Sequence, residues 1–373
     1  MAVKVLVVDD SVLYRRVLTD ALKSLPDVEV VGSAASGSST VAKVKELKPD
    51  LLTLDIEMPG MTGIEVMEAL WRERLEVKVL VVSALTASGG ELTLQALQNG
   101  AFDFITKPSE GSVEENFRCI CQELAPRLRA VASRLEVHKI LRSAAVPATP
   151  AAKRPQPPAS PAPTPALPNS AATVAAARHK PELVVIGVST GGPNALATVF
   201  AGLPQGLNVP VIVVQHMPPI FTKLLAGNLS AHSKVPVREA AHNEVLRPGT
   251  AYIAPGGKQM RVVPTLNGAR LLQLSDDPPE NCCRPAVDYL FRSVANHFPG
   301  KALAVILTGM GEDGTAGLRL LKRGGSTVIA QDEASCVVFG MPKAAIEAGV
   351  VDLVLPLGAI ADRIVNLVRG SQS

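Results

Sequence analysis

Short apolar runs rich in β-branched residues recur along the first 107 residues, and each is followed by a segment whose apolar positions return every three or four residues. The runs are Val3–Val8, Val28–Ala34, Leu51–Asp55, Val77–Ser83 and Asp103–Thr106. Runs of this length predict buried strands, and the periodic segments between them predict amphipathic helices. Five strand-then-helix units in succession predict a doubly wound parallel sheet. The alternation returns after residue 182 with longer insertions, and strands are predicted at Leu183–Val188, Val209–Gln215, Ala302–Thr308, Thr327–Ala330 and Leu353–Leu355. Between Val235 and Leu274, around the turn Ala254-Pro255-Gly256-Gly257, the pattern predicts an antiparallel excursion. The expected fold class is therefore α/β, with two doubly wound parallel-sheet domains. No internal repeat is evident.

The two patterned regions are separated by Pro147–Pro168, which holds nine prolines in 22 residues, interleaved with alanine and serine and without an aromatic residue. Such a stretch cannot bury a core and is expected to be an extended, semi-rigid spacer of about 3.1 Å per residue. The predicted organisation is a first domain over residues 1–124, a helical tail and Pro/Ala-rich linker over 125–181, and a second domain over 182–373.

Composition narrows the class. The 373 residues are 47% hydrophobic but only 3% aromatic, so Val, Leu, Ile and Ala do the packing, as in parallel sheets covered on both faces. All-β and disulfide-stapled classes drop out. The formal charge of +3 conceals three unlike parts, since residues 1–128 carry −6, residues 129–181 carry +7 and residues 182–373 carry +2. A DNA-binding regulator would need a basic recognition helix after the first domain, but the basic segment is broken by proline, so no nucleic-acid partner is expected. No apolar run approaches the ~20 residues that span a bilayer, and Met1–Val8 passes straight into charge at Asp9. A soluble, cytoplasmic protein is expected. Five cysteines, Cys119, Cys121, Cys282, Cys283 and Cys336, show no CxxC pair and no histidine spacing; they read as free thiols, with neither a disulfide framework nor a zinc site indicated.

In open α/β sheets ligands sit at the carboxyl ends of the strands. In the first domain strand one ends in Asp9-Asp10, strand three in Asp55 and strand four in Ser83, while Lys107-Pro108 follows strand five. Three converging carboxylates repel one another unless a cation neutralises them, and an all-oxygen set suits Mg²⁺. A lysine beside one of those carboxylates completes a site arranged to receive a phosphoryl group. In the second domain Ser189 follows a buried strand in Gly187-Val188-Ser189-Thr190-Gly191-Gly192-Pro193. Phosphate cradling and nucleophilic catalysis both fit such a turn, although neither GxGxxG nor a Gly-Lys-Ser/Thr ending is present. A nucleophilic serine needs a base and a group that orients it. Of six histidines only His216 ends a strong buried strand. A third strand runs into Thr308-Gly309-Met310-Gly311-Glu312-Asp313-Gly314, which offers Asp313 or Glu312 as the orienting carboxylate and the amide near Met310 as an oxyanion donor.

Residues 3 to 124 resemble a response-regulator receiver domain, on Val7-Val8-Asp9-Asp10-Ser11, Leu54-Asp55-Ile56-Glu57-Met58-Pro59-Gly60, Ser83-Ala84 and Lys107-Pro108. The resemblance implies a flavodoxin-like sheet with Asp55 as phosphoacceptor. It implies that Asp10, Asp55 and the Glu57 carbonyl hold Mg²⁺ with Asp9 in support, that Lys107 pairs with the phosphoryl group, and that Ser83 and Phe104 form the switch. A phosphoryl group of about −2 charge would redraw the hydrogen bonds of Ser83 and Lys107.

Residues 182 to 369 resemble the catalytic domain of the CheB family of chemotaxis protein-glutamate methylesterases. The motifs are the Ser189 turn, Gln215-His216-Met217, Pro248–Gly257, Arg284-Pro285-Ala286-Val287-Asp288, the Met310 loop and Val337–Pro342. This implies a Rossmann-like domain with Ser189 as nucleophile, His216 as base and Asp313, in preference to Glu312, as the orienting carboxylate, with no cofactor for the ester hydrolysis. It also implies demethylation of glutamyl methyl esters and deamidation of glutamines on methyl-accepting chemoreceptors, phosphorylation by a histidine kinase of the CheA type, and recruitment to receptor arrays. Lys258-Gln259 departs from the family where relatives often carry histidine. The competing readings are a nucleotide-dependent enzyme using the Gly191-Gly192 turn and a receiver-controlled scaffold with weak or no esterase activity.

Overall fold

The computed structural model describes residues 2–108, 112–144, 180–265 and 267–370; the proline-rich spacer lies outside them. The first unit runs β1 (Val3–Val8), α1 (Val12–Lys23), β2 (Val28–Ala34), α2 (Gly37–Leu47), β3 (Leu51–Asp55), α3 (Gly63–Arg72), β4 (Lys78–Ala84), α4 (Ala87–Gln98), β5 (Asp103–Lys107) and α5 (Val113–Ala144). Its five strands are all parallel, in the order β2-β1-β3-β4-β5. β3 is buried at every position, as a central strand covered on both faces must be. Local chemistry sets the helix starts. The Ser11 hydroxyl accepts from Tyr14 N at the head of α1, and Thr62 and Glu65 form a reciprocal capping box on α3.

The second unit runs β6 (Leu183–Val188), α6 (Gly192–Gly202), β7 (Val211–Gln215), α7 (Phe221–His232), β8 (Val237–Glu239), β9 (Glu244–Val245), β10 (Ala251–Ile253), β11 (Gln259–Pro264), β12 (Arg270–Ser275), α8 (Val287–His297), β13 (Ala302–Ile306), α9 (Thr315–Arg323), β14 (Thr327–Gln331), α10 (Met341–Glu347), β15 (Leu353–Leu355) and α11 (Leu357–Arg369). Seven parallel strands form the main sheet in the order β15-β14-β13-β6-β7-β10-β8. The α/β class with two doubly wound sheets is as predicted. The excursion is corrected in detail: β9, β11 and β12 form a separate antiparallel sheet, while β8 and β10, inside the same stretch, join the parallel sheet. Each of those two strands has only three residues, too few for a period to show. β7 also starts two residues later than predicted, at Val211, because Pro210 has no N–H for the ladder.

In both sheets the strand order reverses beside the first strand of the unit, and ligands bind at such switch points. β1 lies between β2 and β3; β6 lies between β13 and β7. The two cores are continuous, because α4 and β5 pack against α6 and α7. Phe104 of β5 stacks on Phe221 of α7 with ring centroids 4.7 Å apart. Burying a side chain of that size contributes about 1.5–3 kcal/mol. Polar contacts border this patch, with Gln98 Nε2 donating to Asn228 Oδ1 at 2.8 Å and Asn194 Nδ2 donating to the Leu97 carbonyl at 2.6 Å.

Candidate active site and phosphoacceptor site

Ser189 leaves the end of β6 and turns at once into α6. Its own amide donates to the Thr308 carbonyl, and its carbonyl accepts from Gly192 N and Gln215 Nε2. The turn depends on absent side chains. Gly191 has φ +77°, and a Cβ on Gly309 would lie 2.8 Å from the Ser189 Cβ. His216 follows β7, and its amide donates to the Val188 carbonyl, so the serine and histidine stand on adjacent strand ends.

The His216 Nε2 is 2.7 Å from Asp313 Oδ2. Asp313 is buried and held by three further donors: Val287 N on Oδ2, and Asp288 N and Asn281 Nδ2 on Oδ1. Burial pushes the Asp313 carboxyl up, but His216 and these amides hold it below its ordinary value. Burial likewise pushes the imidazole down, but Asp313 and the Cys283 sulfur outweigh it and raise His216 to about 9. Glu312, the competing carboxylate, is exposed. Met310 lines the same cavity as Ser189 and His216. Among the described residues no hydrogen bond joins the Ser189 hydroxyl to the imidazole.

That cavity, of about 550 Å³, is walled on one side by the first unit, through residues of β5 and α5 that include Asp103, Phe104 and Arg127. The residue after the serine is tied to this wall. Thr190 Oγ1 donates to Asp103 Oδ2 at 2.9 Å, and the same oxygen accepts from Arg127 Nε at 2.9 Å. Arg127 also pairs with Glu123.

In the first unit Lys107 Nζ lies 2.6 Å from Asp55 Oδ2 and 2.7 Å from Asp9 Oδ2. Lys107 is the one partner of that buried Asp9 oxygen among the described residues. Burial raises the Asp9 carboxyl, while Lys107 opposes the rise. Burial lowers the Lys107 ammonium, but the two carboxylates more than restore it. Single carboxylate oxygens of Asp9, Asp10 and Asp55 lie within 4.8 Å of one another. One lysine charge against three carboxylates and an all-oxygen donor set fit a hard divalent cation. Glu57, whose amide donates to Asp55 Oδ1 at 3.2 Å, lines the same depression. Ser83 is buried and its hydroxyl faces the carbonyls of Ala84 and Gly89 rather than Asp55.

The structure brings Asp9, Asp10, Asp55 and Lys107 together at one sheet edge and Ser189, His216 and Met310 around one cavity with Asp313 on the imidazole, while Glu312 lies exposed and the Ser83 hydroxyl faces elsewhere. Reading the sequence did not find Asn281, Cys283, Tyr14 or the Thr190–Asp103–Arg127 chain. Tyr14 stacks its ring under Lys107, 4.8 Å from Nζ, and donates its hydroxyl to the Pro108 carbonyl. Only Tyr14 left a trace, through its position in the first turn of α1 after the Asp9-Asp10-Ser11 run.

Comparison with known proteins gives two family matches: "CheB methylesterase" over residues 184–364 and "Response regulator receiver domain" over residues 5–114. A protein-glutamate methylesterase/protein-glutamine glutaminase of Desulfotalea psychrophila is 46% identical, covering 98% of both chains. One from Geobacillus kaustophilus is 44% identical over 98% of this chain and 99% of its own. Among solved structures, the CheB methylesterase catalytic domain of Thermotoga maritima is 45% identical with a TM-score of 0.49, covering 50% of this chain and 98% of that one.

Proposed function

The chain belongs to the CheB family of receiver-linked protein-glutamate methylesterases/protein-glutamine glutaminases, and from that premise we propose that Ser189, His216 and Asp313 perform the hydrolysis while Asp55 controls it. The substrate is a glutamyl methyl ester, or a glutamine, on a chemoreceptor. The observation that carries the triad is the buried 2.7 Å contact between His216 Nε2 and Asp313 Oδ2, one strand end away from Ser189.

Asp313 occupies Nε2, so Nδ1 is the ring nitrogen left to take the serine proton. Ser189 Oγ then bonds to the ester carbonyl carbon, and amides near Met310 and the Ser189 turn stabilise the oxyanion. The C–OMe bond breaks, and the methoxy oxygen takes the proton from the imidazolium and leaves as methanol. Water, deprotonated by the same nitrogen, cleaves the acyl-serine to release glutamate and restore Ser189. A glutamine substrate differs only in the leaving group, which departs as ammonia. Asp313, anchored by three donors besides the imidazole, fixes the ring and stabilises its charged form.

Control follows from the packing. In the unphosphorylated chain β5 and α5 wall the Ser189 cavity, and Phe104 is stacked on Phe221. A histidine kinase of the CheA type supplies the phosphoryl group to Asp55. Asp10, Asp55 and the Glu57 carbonyl, with Asp9 in support, would hold Mg²⁺, which would supply positive charge against the phosphoryl oxygens. Lys107 pairs with the new group, the Ser83 hydroxyl turns from the Gly89 carbonyl towards it, and Phe104 withdraws from Phe221 to open the site. The enzyme works in the cytoplasm at receptor arrays; among the described residues no helix is long and apolar enough to cross a membrane.

Methanol release from methylated receptor tests the triad. Ser189→Ala is expected to lose on the order of 10⁴-fold or more, while Glu312→Gln stays close to wild type. Undiminished release by Ser189→Ala, or a Glu312→Gln loss matching that of Asp313→Asn, would overturn the assignment.

A further inference from the structure

We propose that the catalytic centre of this chain is also a binding site for a thiophilic divalent cation of the Zn²⁺ type, held by His216, Cys283 and Asp313, and that occupancy silences the hydrolase. One ligand atom from each of these side chains lies within 4.8 Å of the other two. The three come from separate elements: the end of β7, the turn that precedes α8, and the loop between β13 and α9. No spacing along the chain could announce such a site, and the sequence reading of the cysteines indicated none.

The donor chemistry selects the ion. Nitrogen, sulfur and one carboxylate oxygen match Zn²⁺ and its thiophilic relatives, whereas Mg²⁺ and Ca²⁺ want oxygen throughout. Three protein donors leave the fourth tetrahedral position open, facing the cavity that contains Ser189. Tetrahedral bonds of about 2.0–2.3 Å require His216 Nε2 and Asp313 Oδ2, now 2.7 Å apart, to open slightly around the ion. Asp313 stays anchored meanwhile, because Asp288 N and Asn281 Nδ2 hold its Oδ1, while Oδ2, which also accepts from Val287 N, faces the ring with its second lone pair. Cys283 supplies the sulfur. It is half-buried in a tight turn closed by the reciprocal Glu280–Cys283 backbone pair, in which Asn281 and Cys282 take φ +52° and +61°. On coordination the thiol gives up its proton, and the cation replaces the hydrogen between His216 Nε2 and Asp313 Oδ2. The ring then carries its remaining proton on Nδ1 and has no lone pair for Ser189.

The site itself stands on the three donors; only its inhibitory consequence rests on the triad assignment above. The test uses the full-length protein with saturating Mg²⁺, so that the receiver carboxylates do not compete. Added Co²⁺ should give a thiolate-to-cobalt charge-transfer band that one equivalent of Zn²⁺ abolishes. The band should survive in Ser189→Ala and Cys282→Ala and vanish in Cys283→Ala and Cys283→Ser. Zn²⁺ should suppress methanol release, EDTA should restore it, and each Cys283 variant, referred to its own metal-free rate, should need on the order of 100-fold more Zn²⁺, since even indirect partners of a metal cost 10–100-fold. A band that persists in both Cys283 variants, or equal Zn²⁺ sensitivity in them, would overturn the site. If Ser189→Ala kept its activity while the band behaved as predicted, the triad assignment would fail and the cation site would stand.

Discussion

At the residue scale the chemistry turns on how Asp313 is held. Four donors converge on one buried carboxylate, so replacing it does more than remove a charge. Asp313→Asn is expected to lower turnover by roughly 10⁴-fold, because the amide favours the wrong imidazole tautomer. It should also bring the His216 pKa, now raised to about 9, back towards 6.5, as read by NMR titration of the ring. The sign has two consequences. The neutral ring is the base, so wild-type turnover should climb by up to about tenfold per pH unit below the raised pKa. The raised value also means that the His216–Asp313 pair stabilises the fold fully below pH 6.5, and that this contribution is lost as the pH rises through about 9. An unshifted ring in wild type would contradict both.

Ser189 and His216 were legible because each directly follows an apolar strand, and Asp313 because it lies in the glycine-rich loop that a third such strand runs into. Asn281 and Cys283 were not, since they sit in a turn whose geometry depends on two positive-φ residues rather than on any periodicity. Glu312 and Asp313 are equivalent by position in the chain. The family resemblance favours Asp313, and the fold separates them physically, by exposing Glu312 and burying Asp313.

At the element scale the informative contact is α4 and β5 against α6 and α7. The five strands of the first sheet could be read almost to the residue, because alternation of apolar run and amphipathic helix leaves a strong pattern. The docking of one unit on the other could not, because its polar contacts, Gln98 to Asn228 and Asn194 to the Leu97 carbonyl, are made by amide side chains that look like solvated helix positions. Each such bond contributes about 0.5–1.5 kcal/mol. Removing both with Gln98→Ala and Asn194→Ala should therefore raise unphosphorylated methanol release about tenfold and leave the phosphorylated rate unchanged. No rise in the double variant would show that this face does not hold the site closed. β8 and β10 teach the complementary lesson, since three-residue strands find their place in the sheet through their neighbours.

At the scale of the whole molecule, a charge of +3 conceals an acidic phosphoacceptor unit, a basic spacer and a nearly neutral hydrolase. The low aromatic content has a structural counterpart, for two of the few rings present, Phe104 and Phe221, stack where the units meet. β5 carries both Phe104, which lines the Ser189 cavity, and Lys107, which pairs with Asp55, so it joins the proposed phosphoacceptor to the serine. The most direct test is the rate of methanol release from methylated receptor with and without a small-molecule phosphodonor, in wild type and Asp55→Asn. The account predicts strong stimulation of wild type and none of Asp55→Asn, with equal rates for the two proteins when no donor is present. Equal stimulation of both proteins would contradict it.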